Sequence, residues 1–234
     1  MKCVILQPSY IPWRGFFHQI IKADLFIFYD DVQYDKHGWR NRNRIKTSQG
    51  LQWLTIPVHT KGSVLESIPI NRMKVNWNKP WNLHHWRAIQ FAYGKSPYFH
   101  VFKDFFMEMY SRKPVLLADF TIQTTIEMSR MIGITQTNFM RSSELDDIKG
   151  EKTDRLISIL KKVGANHYIS GPSAKNYLEP EKFYQSGIQL EYIDYDYPNY
   201  EQLYPPYEPQ VSIIDLLFMT GHNALKYILG ADDA

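Results

Sequence analysis

Cysteine is nearly absent from this 234-residue chain: Cys3 stands alone, so no internal disulfide can form and nothing argues for secretion. Cys3 lies in the apolar run CVILQ and reads as a buried strand residue rather than a nucleophile. Long hydrophobic runs are missing too. Gln7 and Pro8 interrupt CVIL before it can form a signal-peptide core, and no apolar stretch approaches the roughly 18 residues needed to span a bilayer. These gaps predict a cytoplasmic protein without membrane insertion. Charge excess is small: 27 Lys and Arg against 24 Asp and Glu give a net +3, which argues against nucleic acid as the partner. No spacing of His, Cys or carboxylates resembles zinc ligation, and His84 and His85 point to different helix faces, so no metal site is predicted. A dinucleotide fingerprint and a nucleophile elbow are lacking, and GEKT at 150–153 lacks the first glycine of a P-loop and reads as a helix start.

Aromatics are plentiful, with 16 Tyr, 13 Phe and 6 Trp, and hydrophobic residues reach 44%, enough for a sizeable core. KCVILQP predicts a short buried strand ending at Pro8, SYIPWRG a turn-rich loop, FFHQIIKA a helix and DLFIFYD a second buried strand. That order is a βαβ unit, which implies parallel strands with ligands at their C-terminal ends. Residues 39–46 alternate and read as extended; LQWLTIPV predicts another strand, VLESIPI its neighbour, and HTKGS the loop between them. From Pro80 to Gly133 the chain reads as helices punctuated by Gly94, Pro97 and Pro114. The α/β pattern returns with strand TNFMRSSEL, helix EKTDRLISILKKVGA, strand NHYISG, helix EPEKFYQSGI, strand QLEYIDYDYP and helix SIIDLLFMTG, whose N-cap is Ser212. The expectation is one α/β domain over 1–234, Rossmann-like with a mostly parallel sheet, and a helical layer at about 76–133.

The segment KHGWRNRNRIK holds Lys36, Arg40, Arg42, Arg44 and Lys46 with no acid among them. In an extended chain Arg40, Arg42, Arg44 and Lys46 share one face, and Trp39, Asn41, Asn43 and Ile45 the other. Such a row is either a solvated, aggregation-proof edge or a phosphate clamp, and a phosphorylated small molecule is the natural guest. Asp30 and Asp31 fall at the end of the second strand, where a carboxylate can move a proton or anchor a turn. The loop QPSYIPWRG precedes a helix N-terminus: Gln7 is placed at the strand end, Tyr10 and Trp13 offer stacking faces, and Arg14 offers a phosphate contact or a salt bridge. ISGPSAKNYL repeats that placement with Ser170, Ser173 and Lys175. His37, beside the basic row, is an acid/base candidate, with Asp30 and Lys175 as the other catalytic candidates.

QPSYIPWRGFFHQIIKADLFIFYDDVQYDKHGWRNRNRIK, WLTIPV, EKTDRLISILKKVGANHYISGPSAKNYL and SIIDLLFMTG together resemble the WbqC-like family, almost from end to end. The resemblance implies bacterial surface-polysaccharide (O-antigen) or related biosynthesis. A more distant similarity links the strand, the P-x-x-G loop, helix and strand to HIGH-type nucleotidylyltransferases and pantothenate-synthetase-like ligases, with ISGPSAK as the second phosphate loop. Trp13, Gly15 and Phe16 then occupy the motif that carries two histidines in those enzymes, and both histidines are missing. These resemblances imply a transferase or ligase acting on a phosphorylated or nucleotide-activated sugar, with ATP and Mg2+, by way of an N-acylation for instance; the alternative is a non-catalytic sugar-nucleotide or partner-binding module.

Overall fold

The computed structural model describes residues 1–60 and 67–229. Five parallel strands form the main sheet: β1 (Lys2–Leu6), β2 (Leu25–Phe28), β5 (Asn138–Arg141), β6 (His167–Ser170) and β7 (Gln189–Tyr192), in the order β5-β2-β1-β6-β7. β3 (Arg42–Thr47) and β4 (Gly50–Thr55) form a separate antiparallel hairpin. Strand periodicity separates two cores. Val4, Phe26 and Phe28 face one side, while Cys3, Ile5, Leu25 and Ile27 face the other. Because both faces are covered, β2 and all of β1 after the exposed Lys2 are apolar, as buried parallel strands require.

On the first face, α1 (Arg14–Lys22) buries Phe16, Phe17 and Ile20, one stripe at helical spacing. The same core takes in α2 (Trp81–Tyr93), α3 (Phe99–Ser111), α4 (Leu117–Ile132) and α7 (Ile213–Thr220), through Ile89, Phe106, Met128 and Phe218. On the second face, α5 (Lys152–Lys162) packs Leu156, Ile159 and Leu160, and α6 (Pro180–Gln185) packs Phe183. Each such fully buried side chain contributes about 1.5–3 kcal/mol. Lys152 and Thr153 open α5, as GEKT implied, and Ser212 Oγ accepts the Ile214 N–H at 3.2 Å as the predicted cap. No helix among the described residues is long and apolar enough to cross a membrane.

One expected element is corrected. Most of HTKGS and the first part of VLESIPI lie outside the described residues, while Ile68 and Pro69 are not strand. Pro69 makes only an isolated bridge with Gln33, and Ile70 opens a 3-10 turn, Ile70–Arg72. The neighbour of β4 is β3. Pro69 and the polar Asn71 make that stretch a poor ladder partner.

From β1 the chain first builds outward through β2 to β5, then crosses back to place β6 and β7 on the other side of β1. The order reverses between β1 and β6. Loops leaving two adjacent parallel strands in opposite directions open a crevice there, the usual ligand position in a doubly wound sheet.

Candidate functional site

A cavity of about 410 Å³ lies at that switch point. Leu6 and Gln7 at the end of β1, and Ser173 after β6, form one part of its wall. Ser9, Pro12 and Trp13 of the following loop, with Phe16 and Gln19 of α1, form another. Trp39, Arg40 and Asn43 come from the basic segment, Tyr195 and Gln210 from the long connection between β7 and α7. The wall thus combines aromatic rings, amides and hydroxyls with one guanidinium.

The loop is held by its own carbonyls. Arg40 Nη1 donates to Gln7 O at 2.9 Å and to Pro8 O at 3.4 Å. Asn43 Nδ2 donates to Tyr10 O at 3.1 Å and Ile11 O at 2.8 Å, and the Ile213 N–H donates to Pro12 O at 2.8 Å. This clamp sustains an otherwise unfavourable backbone: Ile11, a β-branched residue, sits at φ 35°. The alternation of the basic segment therefore has a two-sided purpose. Asn41 and Asn43 turn inward to serve backbone carbonyls, while Arg42 and Arg44 stay on the outer face.

Trp13 lies edge-on to Tyr195, with centroids 5.0 Å apart. Gly15 makes room for its indole: a Cβ there would stand 2.3 Å from Trp13 Cζ2. Gly15→Ala should displace the indole, reshape the cavity and lower stability by about 1–3 kcal/mol. The Trp13 indole N–H resonance, assigned through Trp13→Phe, reads this directly; an unmoved resonance and an unchanged Tm would refute the packing.

Arg40 is the only charged residue in the wall among the described residues. Burial pulls its pKa down to about 10, against the opposing pull of Asp35 and Tyr34, so it is still a cation at neutral pH. Its Nε has no partner. Gln19 is 4% exposed; its Nε2 donates to Tyr195 Oη at 2.6 Å, while its Oε1 is unpartnered. A guanidinium set among amides, hydroxyls and aromatic rings suits a ligand that supplies an anionic oxygen and hydroxyl groups.

Gln7, Trp13, Arg40 and Ser173 are the sequence-nominated residues that meet in this wall. Others lie elsewhere. Tyr10 is fully buried, its hydroxyl 2.8 Å from His85 Nδ1 and 2.5 Å from the Tyr110 hydroxyl, so it fastens the loop to the helical layer and has no free ring face. Arg14 is buried too: Nη1 donates to Pro198 O (2.8 Å) and Tyr227 O (3.2 Å), Nη2 to Tyr207 Oη (3.0 Å), with Tyr197 4.6 Å from its Cζ. It organises the C-terminal segment instead of reaching a phosphate. Lys46 turns inward, and its charge acts on buried Asp215. Ser170 is buried and bonds Tyr168, and Lys175 lies on the surface with Nζ 5.3 Å from the Tyr192 ring centroid. Asp30 is wholly buried, accepting the Ser143 N–H at 3.1 Å and hydroxyl at 2.9 Å; burial, its largest influence, raises its pKa, and these donors oppose it. It secures the 3-10 turn Ser142–Glu144 after β5. Asp31 pairs with Arg155 at 2.5 Å. His37 is exposed, outside the wall, and its carbonyl accepts from Arg42. Trp39, assigned by alternation to the inner face, precedes the strand and joins the arginines outside.

Ser9, Gln19, Trp39, Asn43, Tyr195 and Gln210 supply the other polar and ring groups of the wall without having been nominated for it, and Leu6, Pro12 and Phe16 its remaining apolar surface. Gln19 did leave a signal, a polar residue within the apolar stripe of α1. Tyr195 and Gln210 left none, because an irregular connection has no period to read.

A doubly wound α/β protein with a mixed polar and aromatic crevice at its switch point is the class these features define. The chain belongs to the WbqC-like protein family, which matches residues 7–227. It is 40% identical over 229 residues, 97% of each chain, to "Uncharacterized protein Rv1507c" of Mycobacterium tuberculosis. No solved structure matches it.

Proposed function

We propose that the cavity binds the sugar portion of a phosphorylated or nucleotide-activated substrate, and that the protein is a transferase or ATP-dependent ligase of bacterial surface-glycan or related biosynthesis. One observation carries the reading: the Arg40 guanidinium stands in a crevice otherwise lined chiefly by aromatic rings, amides and hydroxyls. Rings take the apolar faces of a sugar, amides and hydroxyls its edges, and a guanidinium its phosphate. N-acylation of an amino sugar fits this wall. Arg40 would hold the anionic end, so that catalysis comes chiefly from positioning and electrostatic stabilisation.

ATP enters this reading as a co-substrate. The cavity wall has no carboxylate, and no group of three or more His, Cys, Asp or Glu able to hold a metal occurs among the described residues. The wall therefore does not fit a protein-held Mg2+.

A second reading has its own support. The described cavity wall contains no carboxylate or imidazole, and the acid/base candidates Asp30 and His37 lie outside it. A module that binds a sugar nucleotide without turning it over needs neither. Incubation with ATP, Mg2+, a panel of carboxylic acids and amino-sugar nucleotides separates the two. Pyrophosphate release with a mass-shifted sugar establishes the enzyme; binding without turnover across the panel favours the module; absence of both sinks the cavity reading. Arg40→Ala should weaken binding of a phosphorylated sugar by about ten- to a hundredfold in calorimetry, with Arg40→Lys, which keeps charge but loses the fork, falling between.

A further inference from the structure

The outer face of the β3–β4 hairpin carries an arrangement that the cavity does not use. Arg44 pairs directly opposite Trp53, and Arg42 opposite Thr55, which puts both arginines and Trp53 on one face. Trp39 reaches the same place, its ring 5.3 Å from that of Trp53. Arg44 Cζ lies 5.4 Å from each of the two indole centroids, and Arg42 Cζ 4.8 Å from that of Trp53. A guanidinium laid over a ring is held flat and presents its N–H edge to a neighbour.

Those edges are only partly engaged. Arg42 Nη2 donates to His37 O, and Arg44 Nη2 to Gln210 O at 2.8 Å and Oε1 at 3.0 Å. Among the described residues no carboxylate comes within 4.0 Å of Arg40, Arg42 or Arg44. Meanwhile Trp39 is 41% and Trp53 46% exposed. Unpaired cations beside half-exposed indoles answer a ligand that has both anionic oxygens and a flat ring. The face is also continuous with the cavity, since Trp39 and Gln210 belong to both. The cationic row is short, because Lys46 turns inward, and that favours a small ligand over a nucleic-acid strand.

We propose that Arg42, Arg44 and Trp53 form a second subsite, at the cavity mouth, for a nucleoside diphosphate. Its phosphates lie against the guanidinium edges and its base against the Trp53 indole. This rests on the reading of the cavity as a sugar-phosphate site, and it deepens that reading: the substrate is a nucleoside diphosphate sugar, with the sugar inside and the nucleotide outside.

The test uses the full chain, wild type and the variants Trp53→Ala and Arg42→Gln. Calorimetry compares four nucleoside diphosphates, a hexose 1-phosphate and a 12-mer of thymidylate. At least one nucleoside diphosphate should bind the wild type, and both variants should weaken it roughly tenfold or more. Hexose 1-phosphate affinity and Tm should be unchanged. Equal nucleoside diphosphate affinity in wild type and variants overturns the subsite and leaves the cavity reading intact. Failure of hexose 1-phosphate to bind, with nucleotide binding still lost in the variants, keeps the subsite and removes the cavity reading. No nucleoside diphosphate binding at all overturns the subsite, as does thymidylate binding more tightly than every diphosphate with steep salt dependence.

Discussion

Asp215→Ala is expected to lower the unfolding free energy by about 3–5 kcal/mol, the largest loss of any single substitution considered for this protein. Asp215 is 1% exposed on α7. It accepts hydrogen bonds from the Tyr93 hydroxyl at 2.9 Å, the Tyr200 hydroxyl at 2.8 Å and Gln202 Nε2 at 2.9 Å, and the buried Lys46 acts on its charge. Burial raises its pKa, and these donors draw it back. Alanine would leave the three donors without their acceptor and remove the charge that offsets buried Lys46, which is where the energy is lost. Asp215→Asn keeps the shape and should lose less. Tyr200 and Gln202 belong to the connection that also supplies Tyr195 and Gln210 to the cavity, so ligand affinity should fall with stability. Urea denaturation measures the first effect, and calorimetry with a phosphorylated sugar the second. A loss below about 1 kcal/mol would mean that the network is solvated and the account wrong.

His85 should make the protein sensitive to mild acid. Burial pulls its pKa from 6.5 down to about 4. In the fold its Nδ1 is free to accept from the Tyr10 hydroxyl, which ties α2 to the cavity loop. Between pH 6.5 and 4 the unfolded chain takes up a proton on this ring and the folded chain does not. The stabilisation is therefore complete above the unfolded value and is lost as pH falls through that window, by about 3 kcal/mol. Asp30 and Asp215, with raised carboxyl pKa values, titrate with the opposite sign as pH falls. The informative quantity is the difference between wild type and His85→Gln, in denaturation curves taken from pH 4 to 7. A difference that does not change with pH would show that the His85 pKa is the same in the folded and unfolded chains and would overturn this account.

Where the sequence was legible, it was through periods that survive folding. The apolar runs of β1 and β2, the stripe on α1 and the cap at Ser212 are local signals, and each led to an element in its place. The alternation in RNRNRIK correctly separated Arg42 and Arg44 from Asn43 and Ile45. Alternation could not reveal that the inner asparagines hold the Tyr10 loop, that Lys46 is drawn inward beside Asp215, or that Trp39 leaves the pattern before the strand starts. Those outcomes depend on tertiary contacts outside the alternating segment, with the Tyr10 loop before it, Trp53 on the next strand and Asp215 near the other end of the chain. Arg14 and Tyr10 misled for the same reason: a loop cation and a loop ring look accessible until a distant tyrosine-rich connection and the helical layer cover them. Asp215, alone among apolar neighbours in SIIDLLFMTG, was a readable anomaly, since a lone acid in a buried helix needs partners.

The wall of the cavity is assembled from Gln7, Arg40, Ser173 and Gln210, positions scattered along most of the chain. During synthesis the crevice cannot close until the connection after β7 has emerged and docked, so binding competence arrives late and all at once. A ligand that fits it is then a reporter on completed folding. It should raise the cooperative unfolding transition as a whole, by mass action, instead of protecting one lobe.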